Sequence, residues 1–142
     1  VSAGPRGTRV RRILETALYV REPEASARFY ERVLGLEVIV RTERLIAMHA
    51  GEGTVLLLFQ RGATTTWSDA PGGRIPPHHA EGPAHFAFAV DRDDLEAWGR
   101  WLAENGVPIE SEVGWDRGGR SLYFRDPDGY SVELASQGVW SV

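Results

Sequence analysis

Three side chains in this sequence have the type and placement to hold a divalent cation: Glu15, His85 and Glu133. Two carboxylates and an imidazole supply oxygen and nitrogen donors and leave coordination positions open for a substrate. Taken singly, each has an ordinary explanation. A glutamate alternating with apolar neighbours, as Glu133 does between Val132 and Leu134, suits a solvated sheet face, and so does Glu15. His85 alone suits a hydrogen-bonded structural histidine. What joins the three is their equivalent placement in a duplicated unit.

The segment Glu15–Val20 (ETALYV), followed by a helix-like run ending at Gly35, recurs as His85–Val90 (HFAFAV), followed by a second such run ending at Gly106; the offsets are 70 and 71 residues. A repeat of this kind marks two copies of one supersecondary unit. Glu15 then aligns with His85, and Leu57 aligns with Glu133 at an offset of 76.

The elements that must position these groups follow from periodicity. Residues 12–20 alternate, with Leu14, Thr16, Leu18 and Val20 on one strand face and Glu15, Ala17 and Tyr19 on the other. Glu22 and Pro23 open a helix whose apolar stripe is Phe29, Tyr30, Val33 and Leu34, stopped by Gly35. Strand-like runs follow at 36–41, 44–50 and 53–60. In the second half, residues 84–90 form a strand with His85, Ala87 and Ala89 on one face. Asp93 and Glu96 form a capping-box pattern, a helix runs to Gly106, and strands follow at 107–114, 120–126 and 130–136. The fold expected is α+β: two βαβββ modules forming curved mixed sheets around a shared concave site. The organisation expected is a tail at 1–12, a first module at 13–60, a linker at 61–82, a second module at 83–137 and a short tail at 138–142.

The last hairpin carries its own register. Asp126-Pro127-Asp128-Gly129 has the composition of a type I turn followed by a left-handed glycine. Pairing residue 126 with residue 130 sets Leu122 opposite Leu134, Phe124 opposite Val132, and Tyr123 opposite Glu133. That register segregates apolar from polar side chains, whereas the two-residue alternative mixes them. Ser121, Tyr123, Ser131 and Glu133 therefore share the face away from the helices, as do Glu15 and His85.

Composition removes several chemistries. The 142-residue chain has no cysteine, so thiolate ligands, disulfides and cysteine nucleophiles are out. All 16 basic residues are arginine, which excludes Schiff-base and P-loop lysines. The net charge of −4 speaks against a nucleic-acid partner despite Arg6, Arg9, Arg11 and Arg12 near the start. No run approaches the roughly 18 apolar residues of a membrane span, and no secretory signal is seen, so a cytoplasmic protein is expected.

Four stretches, Ile13–Val20, Ala27–Gly35, Gly82–Phe88 and Ser121–Leu134, together resemble the vicinal oxygen chelate superfamily. That group includes glyoxalase I, extradiol dioxygenases, fosfomycin-resistance thiol transferases and bleomycin-resistance proteins. The FYxxxLG and DPDGxxxE patterns carry the resemblance. It implies paired βαβββ modules, a homodimer, and a metal bound by Glu15, His85 and Glu133. Glu15 departs from the histidine most frequent there. Leu57 occupies the position of a fourth ligand in glyoxalase I, which argues against that activity, and one histidine with two carboxylates departs from the extradiol set. The expected cofactor is a divalent ion (Mn, Fe, Ni or Zn) that chelates vicinal oxygens of a small substrate. Glu133 or Tyr123 would move the proton, and Tyr123 also matches a substrate-contacting tyrosine of the fosfomycin-resistance enzymes. Further substrate contacts are expected from Ser121, Arg120, Leu57, Phe59 and Trp67, with Trp115 as a second cover. His49 is a possible wall residue, and His78 and His79 are expected at the surface of the linker. The alternative is a metal-free binding protein like the bleomycin-sequestering members.

Overall fold

The computed structural model describes residues 8–142; Arg6 and the first part of the tail lie outside the described residues. Strand β1 (Glu15–Val20) leads into helix α1 (Pro23–Leu34), and β2 (Glu37–Arg41), β3 (Leu45–His49) and β4 (Val55–Gln60) complete a sheet of order β1-β4-β3-β2. The linker folds into a small hairpin, β5 (Ser68–Ala70) and β6 (Gly73–Ile75). The second module repeats the plan: β7 (His85–Ala89), helix α2 (Leu95–Glu104), β8 (Ser111–Gly114), β9 (Arg120–Arg125) and β10 (Ser131–Ala135), in the order β7-β10-β9-β8. In each sheet the first strand runs parallel to the last and the remaining pairs are antiparallel.

Helix α1 starts and stops as its residues require. Glu22 is extended, Pro23 occupies the first turn without losing a bond, and Gly35 is left-handed at φ 69°. The Gly35 and Leu36 amides donate to the carbonyls of Glu31 and Tyr30 at 3.0 and 3.3 Å, the paired closure of a Schellman motif. Helix α2 departs from expectation. A 3-10 turn at Arg92–Asp94 precedes it, the helix begins at Leu95, and no side chain caps its N-terminus. The capping box suggested by Asp93 and Glu96 does not form, because the tighter turn moves the helix start one position past the box.

The interior lies between the two sheets. Leu18, Val20, Ile46, Met48, Leu56 and Leu58 of the first sheet pack with Ala27 and Tyr30 of α1. Leu122, Phe124, Val132 and Leu134 of the second pack with Val33 of α1 and with Leu95 and Leu102 of α2. Helix α1 serves both clusters: Tyr30 meets Phe86 at 6.4 Å and Phe29 meets Phe124 at 6.3 Å between ring centroids. The Trp101 indole donates to the Val33 carbonyl at 2.9 Å, tying α2 to α1. Both helix-bearing faces are consumed by this shared interior, so the two other faces turn away from it.

The turn after β9 fastens the modules together. Asp126 Oδ1 accepts the amides of Asp128 and Tyr130 at 3.0 and 2.9 Å, while Oδ2 accepts the buried Tyr30 hydroxyl at 2.7 Å. Gly129 is left-handed at φ 83°, and the register is that of residue 126 opposite residue 130. Burial raises the Asp126 carboxyl above its ordinary range even though three donors favour its charged form. Burial, followed by the Asp126 charge, pushes the Tyr30 phenol well up, which keeps it a donor. Replacing Tyr30 with Phe leaves Asp126 Oδ2 desolvated without its partner, and we expect a loss of about 1–3 kcal/mol of unfolding free energy in urea titration. An unchanged midpoint would show that this bond contributes nothing.

Candidate metal and ligand site

Register places the chemistry-bearing side chains in rows on the two open faces. On the first sheet Glu15 pairs with Val55 and Val55 with His49; Ala17 pairs with Leu57, and Tyr19 with Phe59. On the second sheet His85 pairs with Ser131, Ala87 with Glu133 and Glu133 with Tyr123. Glu15 and His85 thus hold equivalent positions one row from Leu57 and Glu133 respectively, as the duplication requires.

The second face brings four of the anticipated residues together. His85 Nε2 lies 3.1 Å from Glu133 Oε2. His85 Nδ1 lies 3.1 Å from the Ser131 carbonyl and 3.2 Å from the Ser131 hydroxyl. The Ser121 hydroxyl donates to the other Glu133 oxygen at 2.5 Å, and the Trp115 indole donates to Ser121 at 2.9 Å. Tyr123 stacks on His85 with centroids 5.9 Å apart and planes 28° apart. Glu133 is buried, its side chain only 9% exposed, whereas His85 is half open. Burial, then the Glu133 charge, raises the Tyr123 phenol above its ordinary value, so it stays protonated near neutrality and can donate a hydrogen bond.

The donor set fits a divalent ion. The Ser131 contacts orient the ring so that Nε2 faces Glu133 Oε2, and Ser121 holds the carboxylate's other oxygen; a divalent ion would take the place of the proton between Nε2 and Oε2. Glu15 does not join them within one chain. Among the described residues no three His, Asp or Glu side chains converge in a metal-holding group. Glu15 instead lines a cavity of about 690 Å³ on the first sheet, with Tyr19, Leu57, Phe59, Ile75 and His78.

The remaining candidates divide. Leu57 and Phe59 line that first-sheet cavity. Trp67 is not among its lining; the ring is exposed and carries the Arg74 guanidinium 5.1 Å from its centroid. Strand alternation turns Arg120 toward the face of Leu122 and Phe124, opposite Ser121 and Tyr123. His49 is exposed on the open face, separated from Glu15 by Val55. His79 reaches Glu81 at 3.1 Å near the surface. His78 departs from the surface placement expected of it. Its ring is half-buried, accepts or donates a 2.7 Å bond with the Tyr19 hydroxyl, and lies 4.8 Å edge-on from Phe59. Strand alternation put Tyr19 on the Glu15 face, but nothing in the linker composition signalled that His78 folds back onto it.

A family model, "Glyoxalase/Bleomycin resistance protein/Dioxygenase superfamily", matches residues 12–134. The chain belongs to this superfamily. Among its glyoxalase-superfamily relatives, the metallothiol transferase FosB of Staphylococcus saprophyticus is 30% identical over 110 residues, covering 77% of this chain and 66% of that protein. The catechol-2,3-dioxygenase of Bacillus subtilis is 30% identical over 118 residues, covering 82% of this chain and 38% of that protein. The chain thus spans less than two thirds of the length of these two curated relatives. A crystal structure of lactoylglutathione lyase from Agrobacterium tumefaciens superimposes with a TM-score of 0.85 at 33% identity, covering 95% of this chain and 100% of that one.

The contact between Tyr123 and Glu133 gives this superfamily member a spectroscopic test. In chelator-treated protein the Tyr123 phenol, isolated by difference from Tyr123→Phe, should ionise above the ordinary phenol range in ultraviolet alkaline titration. Glu133→Gln should move that ionisation down, since a negative neighbour that opposes phenolate is removed. No movement would show that the two groups are electrostatically independent.

Proposed function

We propose that this chain is a divalent-metal-dependent vicinal oxygen chelate enzyme acting on a small oxygenated molecule, with His85 and Glu133 as two ligands and Glu15 as the third. The observation that carries the reading is the His85–Glu133 pair, whose facing atoms are 3.1 Å apart while their far sides are held by Ser131 and Ser121. The names of the relatives give support: a metallothiol transferase, a dioxygenase and a lyase share the superfamily.

When bound, the ion supplies Lewis-acid anchoring of two neighbouring substrate oxygens and stabilises an oxyanion. Two carboxylates offset the charge of a divalent ion, which makes this a weaker electrophile than a site with two histidines and one carboxylate. Its oxygen-rich set favours Mn²⁺ or Fe²⁺, with Ni²⁺ and Zn²⁺ as further occupants. The chain's own residues do the rest. Ser121 fixes Glu133, Trp115 in turn donates to Ser121, and the protonated Tyr123 donates to an oxygen bound beside His85 or returns a proton to it. Leu57, the register equivalent of Glu133, leaves the first sheet without a matching carboxylate.

Glu15 completes the set from a second copy in this reading. It is exposed on the edge strand β1, and His85 is exposed on the edge strand β7. A homodimer that joins β1 of one copy to β7 of the other would bring Glu15 to the His85–Glu133 pair. The alternative, a metal-free binding protein, draws on the first-sheet cavity with its Tyr19, Leu57 and Phe59 walls.

Mass spectrometric metal analysis of protein never exposed to chelators should return near one equivalent per chain, and less than about a tenth with no anaerobic uptake would favour the binding protein. A ligand at about 100 times its dissociation constant stabilises by roughly 2.7 kcal/mol, so Mn²⁺ or Fe²⁺ should raise the melting temperature. Glu133→Ala should abolish both effects. Glu15→Ala and His85→Ala should each lose metal alone and recover part of it when mixed, through mixed dimers holding one intact site. Failure of the mixture to recover any would place the site within one chain.

A further inference from the structure

The first-sheet cavity contains a polar pair that the metal chemistry does not use. Tyr19 and His78 share a 2.7 Å hydrogen bond, although 59 residues separate them. Whichever partner donates, the pair keeps one donor and one acceptor free: Tyr19 Oη retains a lone pair or its proton, and His78 Nε2 retains the complementary role. The walls nearest the pair are ring faces and aliphatic side chains, while Thr42, Arg44, Ser68 and Asp69 line the remainder of the cavity. Tyr19 and Phe59 stack at 5.9 Å and 21°, His78 stands edge-on to Phe59 at 4.8 Å, and Leu57 and Ile75 close the sides.

The cavity has a direction. Glu15, Ala17 and Tyr19 alternate along one face of β1, which sets Glu15 and Tyr19 about 13 Å apart along the strand. Between them lie only the methyl group of Ala17 and the side chain of Leu57. That gap leaves an apolar floor for one ring, with Glu15 at one end and the hydrogen-bonding pair at the other. The β5–β6 hairpin contributes Ser68, Asp69 and Ile75 to the lining, and the Thr64 hydroxyl donates to the His78 carbonyl at 2.6 Å, holding the linker in place.

We propose that Tyr19 and His78 are the specificity-determining pair of this cavity and that they anchor a small monocyclic aromatic ligand by a ring-borne oxygen. The ring packs on Ala17, Leu57 and Phe59, and its hydroxyl donates to and accepts from the pair. An apolar ring would leave the pair's remaining donor and acceptor desolvated, so discrimination comes from the oxygen. This rests on the proposed metal site only in orienting the ligand's far end toward Glu15; anchoring itself requires no metal.

Phenol and toluene are matched probes, alike in size and different in the hydroxyl. Their binding is measured by ligand-observed NMR titration of full-length protein, both chelator-treated and Mn²⁺-loaded. Phenol should bind the metal-free protein about tenfold more tightly than toluene. Tyr19→Phe and His78→Ala should each weaken phenol about tenfold, the effect of one lost hydrogen bond, and leave toluene within about twofold. Phe59→Ala should weaken both probes together. Equal affinities for the two probes would overturn the proposal. So would an equal loss of both in Tyr19→Phe, which would make the pair a strap for the linker. Phenol binding without Mn²⁺ uptake would sink the metalloenzyme reading and leave this one standing, and Mn²⁺ uptake without phenol binding would do the reverse.

Discussion

The hydrogen bond between Tyr30 and Asp126 is the constraint on which the arrangement depends. It joins α1 of the first module to the turn between β9 and β10 of the second, across 96 residues of chain. Two further bonds to the same carboxylate close that turn and set the register that follows. A change at Asp126 would therefore act on the packing of the modules and on the alignment of Glu133 with Tyr123 at once. The FYxxxLG and DPDG patterns of the sequence meet in this contact, since Tyr30 belongs to one and Asp126 to the other.

Asp128 reinforces the same junction. It accepts the Arg21 amide and guanidinium at 3.0 and 3.2 Å and the Ser26 hydroxyl at 3.2 Å. Tyr130 adds a bond from its hydroxyl to the Tyr19 carbonyl at 2.6 Å. The start of β10 is thereby held against the end of β1, and a buried carboxylate surrounded by donors is costly to disturb. Residues 131 to 135, Glu133 among them, pair with β7 and β9 throughout.

The two open faces have different characters although they descend from the same plan. The second carries His85, Glu133, Ser121 and Tyr123 in a connected hydrogen-bonded and stacked group. The first carries Glu15 in a cavity of mixed lining, where Tyr19, Leu57 and Phe59 stand beside Arg44, Asp69 and His78. The equivalent strands of the two modules thus carry different side chains at matching positions, Leu57 where the second module has Glu133. Helix α1 packs against both clusters of the interior.

Much of this was legible in the residues themselves. The order of strands and helices, the stop at Gly35, the 126–130 register and the facing of Tyr123 with Glu133 follow from local alternation, turn chemistry and the segregation of apolar from polar side chains. The pairing of His85 with Glu133 follows from the duplication, because equivalent strands lie side by side in each module. What only the tertiary structure decided is long-range. The direction in which the modules pack separates Glu15 from His85 and Glu133, and the linker brings His78 onto Tyr19. Periodicity records which face of a strand a residue occupies. It carries no information on which way two whole sheets turn, or on where a 22-residue connection between 61 and 82 will lie down, since those depend on contacts between residues far apart in sequence.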